Sequence, residues 1–338
     1  MSTTIATRVT VCADDGTPLA AWTFGPATAS VTVVFVHGHC LRTESWWFLR
    51  DELLRQWGSD IRMVFYDHRG HGDSAGADPA TYTIDQLGHD LDAVLRAVAP
   101  TGPVVLVGHS MGAMVVLAYA RLFPATIGTR VVGVGLIAGA AAGITAVGLG
   151  RLLNRHTVTS LRVAVQRAPR ALQVSKRLGR RVFEPMVREA SFGSRRVNPR
   201  MAALATAMLN DTPLPTMAYF LDSLIRFDET PTLRLLSDLP ALVLGGSADI
   251  MIPFAHSVVL AAQLGRSELV RLDGAGHSVI LERAAEVAVA VAALVARALG
   301  TSAGTSESRP AVTAVLPILA PLGEVEPPSV TATLPAAG

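Results

Sequence analysis

The chain has 338 residues, of which 50% are hydrophobic, 17% charged and 5% aromatic. That composition supports a sizeable buried core and excludes a wholly disordered chain. The 29 basic and 27 acidic residues leave a formal charge of +2, which excludes a globally basic nucleic-acid binder.

The first twenty residues hold no basic stretch followed by an apolar one, so no secretory signal is expected. Cys12 and Cys40 are the only cysteines. Two thiols do not make a disulfide framework, and they suit a reducing cytoplasm. Thr7–Ala13 and Pro18–Phe24 flank Asp14, Asp15 and Gly16, turn chemistry that predicts a hairpin. Val31–Val36, Arg62–Tyr66, Val104–Val107, Val131–Ile137, Ala241–Gly245 and Glu268–Leu272 are short and almost wholly apolar. Strands buried on both faces need that character. Between them lie helical patterns. Ile84, Leu87, Leu91, Val94, Leu95 and Val98 follow helical spacing, and Thr83 with Gln86 forms a capping box. Met111–Phe123 and Ala284–Leu299 also read as helices. The alternation predicts an α/β fold, a mostly parallel sheet with helices on both faces. Val131–Gly150 is uncharged and just long enough to span a bilayer, but its glycines and its Val-rich first half favour a buried strand plus loop.

The alternation breaks between the strands at 131–137 and 241–245. Residues 140–235 are predicted to form a helical cap, which leaves 1–139 and 236–300 as a discontinuous catalytic body. In residues 301–338, Pro, Ala, Ser, Thr and Gly fill 25 of 38 positions, the composition of a disordered tail. Residues 151–200 carry a net +11, so the remainder carries −9. Leu161, Ala164, Val165, Ala168 and Leu172 form a helical stripe, with Arg151, Arg155, Arg162 and Gln166 away from it. Such a helix suits peripheral contact with an anionic membrane. It equally suits a lid packed on the body, the simpler reading. Leu204, Met208, Leu209, Leu214, Met217, Phe220 and Leu221 are candidates for an acyl pocket or for the cap's own core.

Gly108-His109-Ser110-Met111-Gly112 follows a predicted buried strand and precedes an apolar helix. G-x-S-x-G in that setting presents a serine hydroxyl on a sharp turn at a strand's carboxyl end. A serine hydroxyl needs a base to become a nucleophile. His277 lies in a Gly-flanked loop after the last predicted strand. Asp249 lies just past the strand Ala241–Gly245 and can hold the imidazole in the required tautomer. The chain order Ser110, Asp249, His277 is the order in which this fold supplies such residues.

Residues 18–298 resemble the α/β-hydrolase superfamily of serine esterases, lipases and lysophospholipases, with a helical cap. The matching stretches are VVFVHGHC (33–40), FYDHRGHGDS (65–74), VGHSMG (107–112), VLGGSADIMIP (243–253) and GAGHSVILER (274–283). The resemblance implies an oxyanion hole made by the backbone N–H groups of His39 and Met111. It implies that His37 stabilises its turn and that Asp67 and Arg69 tie loops together. The His39 imidazole can face the pocket or the surface. Cys40 lacks an elbow of its own and reads as a pocket-lining residue. His89 and Asp90 read as solvated, and His109 as a packing residue. Asp222 and Asp228 are alternatives to Asp249.

Ser at the elbow excludes the relatives that use Asp there, the haloalkane dehalogenases and epoxide hydrolases. The expected activity is hydrolysis of a carboxylic ester with a hydrophobic acyl group, on a small-molecule or lipid substrate, without cofactor, metal or nucleic acid. The alternatives are a cofactor-free haloperoxidase or perhydrolase, a C–C bond hydrolase, and a non-catalytic ligand-binding module. The last usually lacks one of the three side chains named here.

Overall fold

The structure is a computed structural model that describes residues 6–300 except 59, 154, 169, 177–187 and 194–196. The expected tail at 301–338 lies outside the described residues. Eight strands form one sheet: β1 (Thr7–Cys12), β2 (Pro18–Phe24), β3 (Thr32–Val36), β4 (Arg62–Tyr66), β5 (Val104–His109), β6 (Val131–Ile137), β7 (Ala241–Gly246) and β8 (Ser267–Leu272). Their spatial order is β1-β2-β4-β3-β5-β6-β7-β8. β1 and β2 form the expected hairpin, β2 runs antiparallel to β4, and the other pairings are parallel.

The apolar runs become strands because both faces are covered. β3, β5 and β7 are buried at every residue, whereas the edge strand β1 is largely exposed and the edge strand β8 half-buried to exposed. Val34 and Val36 point into one core layer with α2 (Ile84–Val98) and α3 (Met111–Leu122). Val33 and Phe35 point into the other, against α1 (Trp47–Trp57) and a C-terminal helix, Ala284–Ala298. Half of the expected capping box forms at α2. The Thr83 hydroxyl accepts the Gln86 N–H at 3.1 Å, but the Gln86 side chain turns to Asp90 instead of back to Thr83.

β3 lies between β4 and β5, so the chain leaves it in one direction and returns on the other side. A sheet that reverses in this way opens a crevice at the strands' carboxyl ends. The turns after β3 and β5 border it.

Between β6 and β7 the described residues contain no named strand. They hold α4 (Arg155–Arg167), α5 (Pro199–Asp211) and α6 (Leu214–Leu224), with residues 170–176 also helical. The stripe expected on α4 is rotated. Its buried residues are Val158 and Val165, while Ala164 and Ala168 are exposed. Arg162, expected to face away, turns inward. It pairs with Asp222 at 2.5 Å and lies over the Tyr219 ring at 4.6 Å. Its aliphatic stem tolerates burial once the guanidinium has a carboxylate. The segment's single lysine, Lys176, donates to the carbonyls of Leu209, Asn210 and Thr212 and so caps the end of α5.

No helix of the described residues is long and apolar enough to cross a membrane. Val131–Gly150 is β6 followed by a loop. Both cysteines are free, Cys12 exposed and Cys40 buried.

Asp90 corrects the expectation of a solvated residue. It is fully buried and holds Arg69, also fully buried, through two hydrogen bonds of 2.7 and 2.6 Å. Arg69 reaches Asp15 at 2.7 Å as well, and that hydrogen bond lowers the Asp15 carboxyl to about 2. Asp67 accepts the N–H groups of Thr43 and Asp73 and the Thr43 hydroxyl. The loop after β4 is thus pinned to the hairpin, to α2 and to the turn after β3, as the resemblance implied. His89 is exposed as expected.

Candidate active site

Ser110 sits between β5 and α3 with φ 55° and ψ −119°, a backbone conformation that non-glycine residues rarely adopt. Close packing holds it there. A methyl group on Gly112 would lie 1.9 Å from the Val36 carbonyl oxygen, and one on Gly108 would lie 2.3 Å from the Gly112 oxygen. Only glycine lets strand, elbow and helix approach this closely. The Ser110 Oγ lies 2.9 Å from His277 Nε2, and His277 Nδ1 lies 2.8 Å from Asp249 Oδ2. Asp249 Oδ1 accepts the N–H groups of Met251 and Ile252 at 2.9 and 2.8 Å. The carboxylate is therefore fixed at one oxygen by backbone and directed at the imidazole with the other. The structure brings these three expected residues together. Asp222 is instead occupied by Arg162 and Arg226, and Asp228 accepts the Thr230 N–H.

The turn after β3 abuts the elbow. A methyl on Gly38 would lie 3.1 Å from Ser110 Cβ. Among the described residues, the N–H groups of His39 and Met111 donate to no protein acceptor. His37 holds the turn: its Nε2 accepts the His68 N–H at 3.0 Å, which leaves Nδ1–H to donate to the Gly38 carbonyl at 2.8 Å. His71 accepts the Cys40 N–H through Nε2 at 3.2 Å. The His39 ring faces inward, 6.3 Å from the Phe220 ring and 6.1 Å from His71. Phe220 and Met208 are fully buried; Phe220 belongs to packed core, and Met208 also lines a cavity with Leu41, Tyr82 and Thr216. Cys40 is buried, and burial pushes its thiol up to about 12, far from a thiolate nucleophile.

Two further residues hold the His277 loop: His109, read from the sequence as a packing residue, and Glu282, which carried no signal there. His109 donates from Nε2 to the His277 carbonyl at 2.9 Å, and the Trp46 ring stands edge-on to it at 6.3 Å. Glu282 accepts the Gly276 N–H at 2.8 Å and the Gly193 N–H at 3.2 Å. It thereby joins the His277 loop to the segment between β6 and β7. Burial pushes its carboxyl above the usual range.

Burial depresses the histidines around the turn, His37 to about 4 and His39, His71 and His109 to about 3. They are neutral in the folded protein, while the unfolded chain binds protons from about pH 6.5 downward. Their contribution is fully present above that value and is lost as pH falls toward 3–4. Buried Asp67 and Asp90, whose carboxyls are raised, act in the opposite sense at lower pH. The thermal midpoint is expected to hold from pH 8 to 7 and to fall between pH 6.5 and 5. Each histidine costs roughly 1 kcal/mol per pH unit there. A scanning-calorimetry series across this range checks it, and a flat profile would contradict the neutral cluster.

The comparisons with known proteins agree with the fold. An esterase from Thermogutta terrifontis superposes with a TM-score of 0.70 at 24% identity, covering 86% of this chain and 99% of its own. A bromoperoxidase from Bacillus anthracis superposes with a TM-score of 0.68 at 18% identity, covering 86% and 99%. The uncharacterized protein YfhR of Salmonella typhimurium is 33% identical over 120 residues, which is 33% of this chain. The chain thus spans 40% of the length of that relative. The family model described as alpha/beta hydrolase family matches residues 33–291. With the elbow, the sheet order and this match in agreement, the chain belongs to the alpha/beta hydrolase family.

Proposed function

We propose that this hydrolase cleaves a carboxylic ester with a hydrophobic acyl group through an acyl-enzyme on Ser110. The observation that carries the reading is the unbroken contact series from Ser110 Oγ through His277 to Asp249, at 2.9 and 2.8 Å. His277 Nε2 takes the hydroxyl proton as Oγ attacks the carbonyl carbon, and Asp249 stabilises the imidazolium that forms. The oxyanion is held by the N–H groups of His39 and Met111, which have no other acceptor among the described residues. His277 then returns the proton to the leaving alcohol. Water, deprotonated by the same Nε2, releases the acid. The neutral, buried His109, its ring 5.2 Å from that of His277, keeps positive charge away from the imidazolium, which would otherwise be disfavoured.

The shared fold of the Bacillus anthracis bromoperoxidase supports perhydrolysis of the acyl-enzyme as a second reading. One set of assays separates the readings. The chain is incubated with a fluorophosphonate probe, with p-nitrophenyl esters of increasing acyl length, and with acetate, peroxide and bromide. We expect probe adduct on Ser110 alone and turnover that rises with acyl length. Absence of labelling would overturn the serine-hydrolase reading and favour a non-catalytic module. Bromination that exceeds ester turnover would favour the second reading.

A further inference from the structure

The loop that opens the segment between β6 and β7 meets the loop that follows β7. The Leu149 N–H donates to the Ile250 carbonyl at 2.8 Å. Gly148 makes the approach possible: its φ is +64°, and a methyl there would lie 2.5 Å from the same oxygen and 2.8 Å from Pro253 Cγ. The junction displays Val147, Leu149, Leu152, Ile250 and Met251 outward, at 37, 38, 72, 42 and 39% exposure. Single exposed aliphatic residues are ordinary, but five on two touching segments make a patch. Its backbone is held on both sides. Met251 donates to Asp249 Oδ1, and Leu153 donates to the Gly150 carbonyl.

The segment that opens the patch carries charge of one sign. Arg151 and Arg155 are exposed and make no ion pair among the described residues. No Asp or Glu occurs between Asp92 and Glu184. The acidic neighbour, Asp249, is buried, with its oxygens taken by His277, Met251 and Ile252. Aliphatic side chains flanked by uncompensated guanidinium groups match an anionic lipid surface. The aliphatic groups enter the acyl boundary while the guanidinium groups remain among phosphates. α4 fits this role less well. Its apolar residues Val158 and Val165 are already buried, and its Arg162 is committed to Asp222.

We propose that Val147–Leu152 together with Ile250 and Met251 form a docking surface for anionic lipid. This surface lies beside the loop that carries Asp249, and it does not depend on the chemistry assigned to Ser110. The full chain is floated with phosphatidylcholine vesicles, with and without phosphatidylglycerol. Leu152→Ser and the double variant Arg151→Gln, Arg155→Gln are run in parallel. The wild type is expected to float with the anionic vesicles and to remain largely free of the neutral ones. Leu152→Ser lowers binding about tenfold, the loss of one partly inserted leucine. The double arginine variant lowers it about 25-fold, at roughly fivefold per charge. Both keep the wild-type thermal midpoint, because all three side chains are exposed. Equal binding to both vesicle types, or binding unchanged in both variants, would overturn the proposal. So would a wild type that does not float but sediments as a dimer that Leu152→Ser dissociates; the patch would then join two copies of the chain.

Discussion

Asp249→Asn is expected to lower kcat for ester hydrolysis by about 10⁴-fold, a smaller loss than the roughly 10⁶-fold expected of Ser110→Ala, while leaving the fold intact. The reason is specific to how Asp249 is held. One carboxylate oxygen accepts the N–H groups of Met251 and Ile252, which only an oxygen can do. In the asparagine variant the carbonyl oxygen keeps that position, so the amide NH₂ points at His277 Nδ1. An NH₂ donor there selects the tautomer with the proton on Nε2. That nitrogen can then no longer accept the Ser110 proton. Stopped-flow hydrolysis and the thermal midpoint are measured together. A kcat within tenfold of wild type in a folded Asp249→Asn protein would remove Asp249 from the mechanism. Asp249→Ala should also lose stability, because the two N–H groups lose their acceptor.

The second large effect concerns stability. Arg69→Met removes a fully buried guanidinium from Asp90 and Asp15. Asp90 would remain buried with Gln86, at 3.2 Å, as its remaining side-chain donor. Breaking one side of a buried pair costs about 3–5 kcal/mol, which lowers the thermal midpoint by roughly 10 °C in a chain of this size. The double variant Arg69→Met, Asp90→Leu removes both charges and should recover most of that loss. Calorimetry on the three proteins checks the sign of the coupling. A single variant as stable as wild type would mean that the pair contributes nothing.

The strands and the Ser110, Asp249 and His277 constellation were legible because each rests on local chemistry. An apolar run between turn residues has few other fates, and the elbow's glycines sit beside the serine they serve. The features that were misread depend on partners far along the chain. Asp90 looks solvated until Arg69, 21 residues earlier, is found against it. The stripe on α4 assumes that an arginine points outward, and Asp222, 60 residues later, reverses that. The orientation of His39 could not be read at all, because Phe220 of α6 supplies the surface it packs against. Helical spacing specifies a face, but the identity of the covering element decides which polar residues can share it.

The packing of Trp46 against His109 also governs how unfolding can be observed. All four tryptophans, Trp22, Trp46, Trp47 and Trp57, fall within one short stretch near the amino end. Intrinsic emission therefore reports β2, α1 and, through Trp46, the vicinity of the elbow. Residues 140–235 carry no tryptophan and reach this stretch where Pro199–Asp211 packs against Thr43–Trp46, in the core layer that Trp46 shares with Ala205 and Met208. If that segment detaches before the sheet melts, Trp46 loses part of its cover and its emission shifts first, while Trp22 in β2 follows the sheet, so emission will register two steps where a probe of the sheet alone registers one.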